Sequence, residues 1–459
     1  MTTAGLNAAL RKMAVANVNA SAQAVFAEYY RQLEAGVTGM IAEADVEPLG
    51  DVATPDLDAW DTADVAALSR TVLIRLNGGL GTSMGLAQAK SLLPVREGAT
   101  FLDIIARQVL AARSRYGIRL PLVFLHSYNT RDDCLNALAR YPELPVADLP
   151  LDMMQSQEPK LLLTDLTPVS WPTNPALEWC PPGHGDLYPT LLESGMLDAL
   201  IDAGFCYASV SNSDNLGCIP SPALAGWFAR SGAPYAAEVT LRTPMDLKGG
   251  HIVRRRSDGQ LILRETAQTA PEELRYFTDS VKHPFTHTNN LWFDLVALRD
   301  KLNVTGGVLG LRLIRNVKTV DPTDKASPQV VQVEAAMGAA IEVFNGAQAV
   351  AVPRSRFLPV KTTTELTLLR SDAYVWGDDW VPRAQISPLP VVELASCYKL
   401  IADYERRLPH PLGLLDADSL RVEGDWSFGA RVQIRGSVTL GAVGGAIPDA
   451  TVLDGKEQS

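Results

Sequence analysis

Along the middle of the chain, short apolar runs that end in glycine or polar strings alternate with stretches of helical period. Thr71 to Leu76 is one such run, closed by Asn77-Gly78-Gly79, and predicts a buried strand ending in a glycine loop. Phe101, Leu102, Ile104, Ile105, Val109 and Leu110 follow at helical spacing, and Leu120 to Leu125 predicts a second strand. Phe205 to Val210 predicts a third, running directly into the polar string Ser211-Asn212-Ser213-Asp214-Asn215. Strands alternating with helices imply a mostly parallel sheet covered on both faces. Ligands of such sheets bind beyond the carboxyl ends of the strands, where the glycine loop and the polar string both fall.

The flanks read differently. Leu6, Leu10, Met13, Val25, Phe26, Tyr29 and Leu33 recur at broadly helical intervals, while Glu43 to Thr62 is rich in Asp and Pro without a period and reads as a linker. His251 to Glu265 reads as an antiparallel pair turning at Ser257-Asp258-Gly259, with Arg254-Arg255-Arg256 as its solvated flank. From Phe428 to Gly441 apolar residues largely alternate, and Val432 and Val438 stand six apart. That spacing is the cue for a left-handed β-helix; the same residues also fit a plain β-hairpin.

Composition narrows the classes. The 459 residues are 47% hydrophobic and 20% charged, ordinary for a globular enzyme of two or three domains or one large domain with appendages. A formal net charge of -11 argues against a duplex nucleic-acid binder, which needs a basic face. It does not exclude an anionic small substrate held by a few lysines and backbone N–H groups. Five scattered cysteines with no CxxC pair fit free thiols in a reducing cytosol. No stretch approaches the roughly 20 apolar residues of a membrane span. A cytoplasmic protein is the expectation, with no membrane and no nucleic-acid partner.

The loop Leu76-Asn77-Gly78-Gly79-Leu80-Gly81-Thr82-Ser83-Met84-Gly85 can bring backbone N–H groups against phosphate, helped by the dipole of a following helix. Lys90 does not follow a glycine directly, so this is not GxxxxGK[ST]. The spacing GxGxxxG is one residue too long for the dinucleotide fingerprint. By itself the loop also fits a tight turn.

This loop, with Lys90-Ser91 after it, resembles the signature of eukaryotic-type UTP–glucose-1-phosphate uridylyltransferases. Further matches follow in order: His126 to Thr130 with Asp132-Asp133, Gln155-Ser156-Gln157, Pro181 to Asp186, Ser211 to Gly217, Lys248-Gly249-Gly250, Asn289-Asn290-Leu291-Trp292, and Val352 to Lys361. The resemblance spans Leu76 to Lys361. It implies an α/β nucleotidyltransferase with a doubly wound, Rossmann-like, mixed and mostly parallel sheet. The expected division is a helical segment and linker at 1–65, a catalytic domain at 66–395, and a C-terminal domain with the short β-helix at 396–459.

The implied reaction joins UTP to glucose 1-phosphate, giving UDP-glucose and pyrophosphate. A sugar 1-phosphate is already anionic at neutral pH, with a second pKa of about 6, and needs no general base. The enzyme must align two polyanions and absorb charge at the α-phosphoryl group, which calls for Lys, Mg²⁺ and backbone donors. By resemblance Leu76, Gly78, Gly79, Gln155 and Gly183 hold the nucleotide, and Lys90 lies on its phosphates. Asp214, just past a strand end, reaches Mg²⁺; alone it fits a turn or a helix cap. His184, Asn212, Gly250, Glu265 and Asn290 face the sugar phosphate, although a lone histidine in a loop or a Glu closing a strand is by default solvated. Lys361 corresponds to the catalytic lysine.

Gln88-Ala89 stands where the family usually has Gly-Pro before the loop lysine, and the C-terminal β-helix is short, which favours a monomer or small homo-oligomer. Two other readings remain: a broader UDP-sugar pyrophosphorylase that also takes galactose 1-phosphate, and a catalytically silent nucleotide-sugar sensor. Retention of Lys90 and Lys361 argues against the sensor. Ser83-Met84, where UDP-N-acetylhexosamine enzymes carry an Arg, argues against those relatives.

Overall fold

The apolar run at 71–76 becomes β1 (Thr71–Asn77), buried along nearly its whole length because it lies inside the sheet with both faces covered. The computed structural model describes residues 3–243, 246 and 249–455; Lys248 of the Lys-Gly-Gly motif lies outside the described residues. With β1 run β2 (Leu122–His126), β3 (Asp152–Met154), β4 (Tyr207–Asn212), β5 (Tyr235–Leu241), β6 (Phe285–Asp294) and β7 (Gln348–Ala351). They form a seven-stranded sheet in the order β7-β5-β6-β4-β1-β2-β3. β6 is antiparallel to both neighbours, and every other pair is parallel, so the sheet is mixed and mostly parallel.

Alternate residues of one strand feed two separate cores, as the two-residue pleat requires. Leu73, Leu122 and Phe124 pack with the helices Phe101–Tyr116 and Pro222–Ser231 on one face. Val72, Ile74, Val123 and Leu125 pack with Leu187–Glu193, Met196–Asp202 and Leu295–Val304 on the other. The helix Phe101–Tyr116 starts at a reciprocal Thr100/Asp103 cap and stops at Gly117, which takes the left-handed conformation.

Two features depart from expectation. The segment read as a linker carries a strand, Val46–Pro48, paired antiparallel with His251–Arg255, which pairs in turn with Leu261–Arg264. Val46 is buried there against Val253 and Ile262, a long-range pairing with no local period to announce it. And no α-helix follows the glycine loop directly. Two single 3₁₀ turns, Thr82–Met84 and Lys90–Leu92, and two short strands intervene before Phe101, so no helix dipole points at the loop from its own chain end. The arginine run does sit on the hairpin flank: Arg255 pairs with Asp258 and Glu342, and Arg256 with Glu47.

At the C-terminus Val391–Leu394, Gly413–Val422, Gln433–Leu440 and Val452–Asp454 pair side by side, all parallel, and Trp426–Phe428 pairs in parallel with Gly445–Ile447. Parallel pairing rules out the plain hairpin. Leu420, Val432, Ile434, Val438, Leu440 and Leu453 point into this stack, whose core is continuous with one face of the main sheet.

One buried group ties the sheet to the segment after β7. Glu238 on β5 is fully buried at a bulge opposite β6. Its carboxylate accepts from Arg356 Nε and Nη2 (2.9 and 2.8 Å), Asn290 Nδ2 (3.0 Å) and Trp292 Nε1 (2.9 Å). Burial alone would raise this carboxyl, but Arg356 and the neutral donors hold it below its ordinary value. Glu238→Ala would strand a buried guanidinium, so it should cost about 3–5 kcal/mol of stability. Urea unfolding checks this, and a loss under about 1 kcal/mol would contradict the anchoring role.

Candidate active site

Leu76 on β1 pairs with Asn212 on β4, and its carbonyl accepts from Ser213 N (3.1 Å). The glycine loop and the polar string therefore leave the sheet side by side from neighbouring carboxyl ends. The loop curls back so that Lys90 N donates to Gly79 O (3.1 Å), and Lys90 Nζ reaches Asp214 Oδ2 at 2.6 Å. The other carboxylate oxygen, Asp214 Oδ1, is buried with no hydrogen-bond partner.

Gly78 and Gly79 play different parts. A Cβ on Gly78 would stand 2.9 Å from Gln155 Oε1, whereas one on Gly79 would meet nothing within 4 Å. Glycine lets the loop lie against the Gln155 amide, which a Cβ would push aside, and beyond it Gly79 borders open space. Gln155 is set by its own N–H to His126 O (2.8 Å), and Ser127 Oγ donates to Gly78 O (2.8 Å). The next residue links to the Pro181–Asp186 turn: Ser156 N donates to Asp186 Oδ2 (2.6 Å), which also accepts from Thr190 Oγ1 (3.0 Å). Burial pushes the Asp186 carboxyl up to about 6.

Within that turn Gly183 has φ +79°, and its Cα faces the Ala335 backbone too closely to admit a Cβ. His184 accepts from Met337 N at Nδ1 (2.9 Å), and burial lowers its pKa to about 4. A neutral ring that accepts at Nδ1 carries its proton on Nε2, so it presents a donor rather than a charge.

Lys361 arrives from the far end of the chain. Asn215 and Pro359 form an antiparallel bridge, Val360 N donates to Asp214 O (3.2 Å), and Leu358 N to Asn215 Oδ1 (2.8 Å). The exposed Lys361 ammonium opposes the rise that burial imposes on the Glu265 carboxyl. Glu265 in turn lies against Gly250. Neighbour by neighbour, the residues make a rim: Gly79, Lys90, Asp214, Lys361, Glu265, Gly250, and on the other side Gln155, Gly183 and His184.

Asn290 is not on that rim. Its amide is consumed below it, donating to Glu238 and Arg356 O and accepting from Asn215. The preceding Asn289 instead turns its Nδ2 to Asn212 Oδ1 (3.0 Å), using φ +60°, a conformation asparagine tolerates. An Asn-Asn pair does not tell which side chain faces out, and the alternation is broken here by the bulge. Asn289, Asp186 and Asn215 lie inside the matched motifs, but the sequence alone assigned them no role. A hollow of about 410 Å³ at the opposite end of the strands, lined by Tyr207, Phe228 and Asp294 among others, holds none of these residues.

Comparison with known proteins identifies the family. The family model for UTP–glucose-1-phosphate uridylyltransferase matches residues 23–435. The enzymes of that name from Hordeum vulgare and Solanum tuberosum are 38% and 39% identical, over 90% and 85% of this chain and 86% and 81% of theirs. A variant of Leishmania major UDP-glucose pyrophosphorylase, crystallised with UDP-glucose, superposes with a TM-score of 0.94 at 39% identity, each chain fully covered. UDP-glucose phosphorylase from Trypanosoma brucei gives 0.89 at 35% identity, covering 99% of this chain and 100% of its own. Sequence and fold thus agree over nearly the whole length, and the chain belongs to the UTP–glucose-1-phosphate uridylyltransferase family.

Proposed function

We propose that the protein transfers the uridylyl group of UTP to glucose 1-phosphate, releasing pyrophosphate and forming UDP-glucose. The observation that carries this reading is the convergence of Lys90, Asp214 and the Lys361 segment at the carboxyl ends of β1 and β4 in a chain of this family. The sugar phosphate oxygen attacks the α-phosphorus in line, forming the new P–O bond as the bond to pyrophosphate breaks. Leu76, Gly78, Gly79, Gln155 and Gly183 hold the nucleotide. Lys90 gives its charge to the phosphates, and Lys361 meets the negative charge that grows on the α-phosphoryl oxygens. His184 donates from Nε2 to the sugar phosphate, and Asn212, Gly250 and Glu265 shape the hexosyl side, with Asn289 in the place first given to Asn290.

The unpaired, buried Asp214 Oδ1 fits a divalent cation. Among the described residues no group of three or more His, Cys, Asp or Glu is placed to hold a metal ion by itself. One carboxylate with phosphate oxygens and water completing the shell suits Mg²⁺, which keeps much of its hydration. Bound there, Mg²⁺ would neutralise phosphate charge.

We assign the divisions 1–65, 66–395 and 396–459, the last with a left-handed β-helix, to this cytoplasmic protein. Its short stack supports a monomer or small homo-oligomer. No helix among the described residues is long and apolar enough to cross a membrane, and the five cysteines are free.

Purified protein with UTP, glucose 1-phosphate and Mg²⁺ should release pyrophosphate and form UDP-glucose, and EDTA should stop it. A panel of sugar 1-phosphates separates a glucose-selective enzyme from a broad one, and no UDP-glucose at all would leave only the silent sensor. Asp214→Asn keeps size but removes the charge, so activity should drop by about two orders of magnitude or more and recover in part at high Mg²⁺. Near-normal rates at low Mg²⁺ would make Asp214 a turn residue. Lys361→Ala should bind UTP nearly normally by calorimetry yet lose roughly a hundred- to a thousandfold in kcat, because its interaction strengthens in the transition state. Lys90→Ala should raise the UTP KM as well; unchanged kcat with weakened UTP binding in Lys361→Ala would overturn the assignment.

A further inference from the structure

His287 on β6 is 5% exposed, and neither of its ring nitrogens makes a hydrogen bond of good geometry; the Glu238 backbone lies near enough to raise its pKa but not to satisfy both nitrogens. A buried imidazole has one N–H and one lone pair to satisfy, and leaving them unmade is costly. Burial, reinforced by His184, lowers its pKa to about 4, so the ring is neutral at working pH and able both to donate and to accept.

Its surroundings place it under the hexosyl side of the site. The backbone N–H of His287 donates to Gly250 O (2.9 Å), and Gly250 lies against Glu265. Its Nε2 faces Gly338 so closely that a Cβ there would stand 2.8 Å away, and the adjacent Met337 N–H is the donor that fixes His184. Two residues further along the same strand, Asn289 turns to Asn212. His287 is thus tied to Gly250 and lies beside His184, two of the groups that address the sugar phosphate.

Resting on the function proposed above, we propose that His287 is a specificity-determining residue for the hexosyl unit, its imidazole hydrogen-bonding on the sugar side of bound substrate. A polar group buried to meet a particular hydroxyl rejects a sugar that presents it differently, because the mismatch leaves both partners unpaired.

The test compares wild type with His287→Phe, which keeps a ring without nitrogens, and His287→Gln, which restores a donor and an acceptor. In the Phe variant the KM for glucose 1-phosphate should rise roughly tenfold or more while that for UTP stays within about twofold. The preference for glucose over galactose 1-phosphate should shrink, and the Gln variant should recover most of both. Unchanged sugar parameters, equal losses for both substrates, or no recovery in the Gln variant would overturn the inference. A second measurement needs no variant: the ring ¹⁵N shifts of His287 should move on adding UDP-glucose but not UTP, and shifts indifferent to UDP-glucose would count against it. Failure of the wild type to form UDP-glucose would remove the function and this inference together; wild-type turnover with indifferent variants removes the inference alone.

Discussion

The carboxylate of Glu238, closed off from water and spanned by the fork of Arg356, is the interaction on which the site depends. Arg356 lies only five residues before Lys361, and its carbonyl also accepts from Asn215 and Asn290. A buried ion pair is a poor source of net stability, since desolvation offsets most of its attraction. Its value is geometric. A bidentate pair with every lone pair engaged allows one arrangement of β5, β6 and the segment after β7, and that segment carries the lysine.

Around that fixed point the electrostatics are arranged by chain topology rather than by local sequence. Lys90 comes from a loop after β1, Asp214 from one after β4, and Lys361 from beyond β7, yet the first two share an ion pair and the third sits on their backbone. Lys90 and Lys361 thus stand beside the carboxylates of Asp214 and Glu265 at the edge of an apolar sheet. Burial keeps His184 and His287 neutral, so they bring polar atoms without charge.

Much of this was legible in the residues. Strands buried on both faces are near-continuous apolar runs, so β1, β2 and β4 announced themselves, and the chain chemistry at their ends followed. Family motifs supplied the candidate residues, of which Lys90, Asp214 and the segment before Lys361 come together in the fold. What failed was governed by contacts that no local pattern encodes. Val46 gains its strand only from Val253 and Ile262, two hundred residues on. The choice between Asn289 and Asn290 is made by a bulge opposite Glu238. The C-terminal alternation could not distinguish parallel from antiparallel partners, since both bury alternate residues.

The stitch between Asn215 and the Leu358–Val360 segment joins positions 143 residues apart, and the Lys90–Asp214 contact closes 124. Contacts of such separation are slow to form, because a long loop must be closed before they return any energy. The contacts between Lys90, Asp214 and the segment before Lys361 therefore form later than those within each neighbouring strand and helix. A nascent chain still short of Pro359 holds β1 and β4 but lacks the segment that bridges Asn215 and carries Lys361.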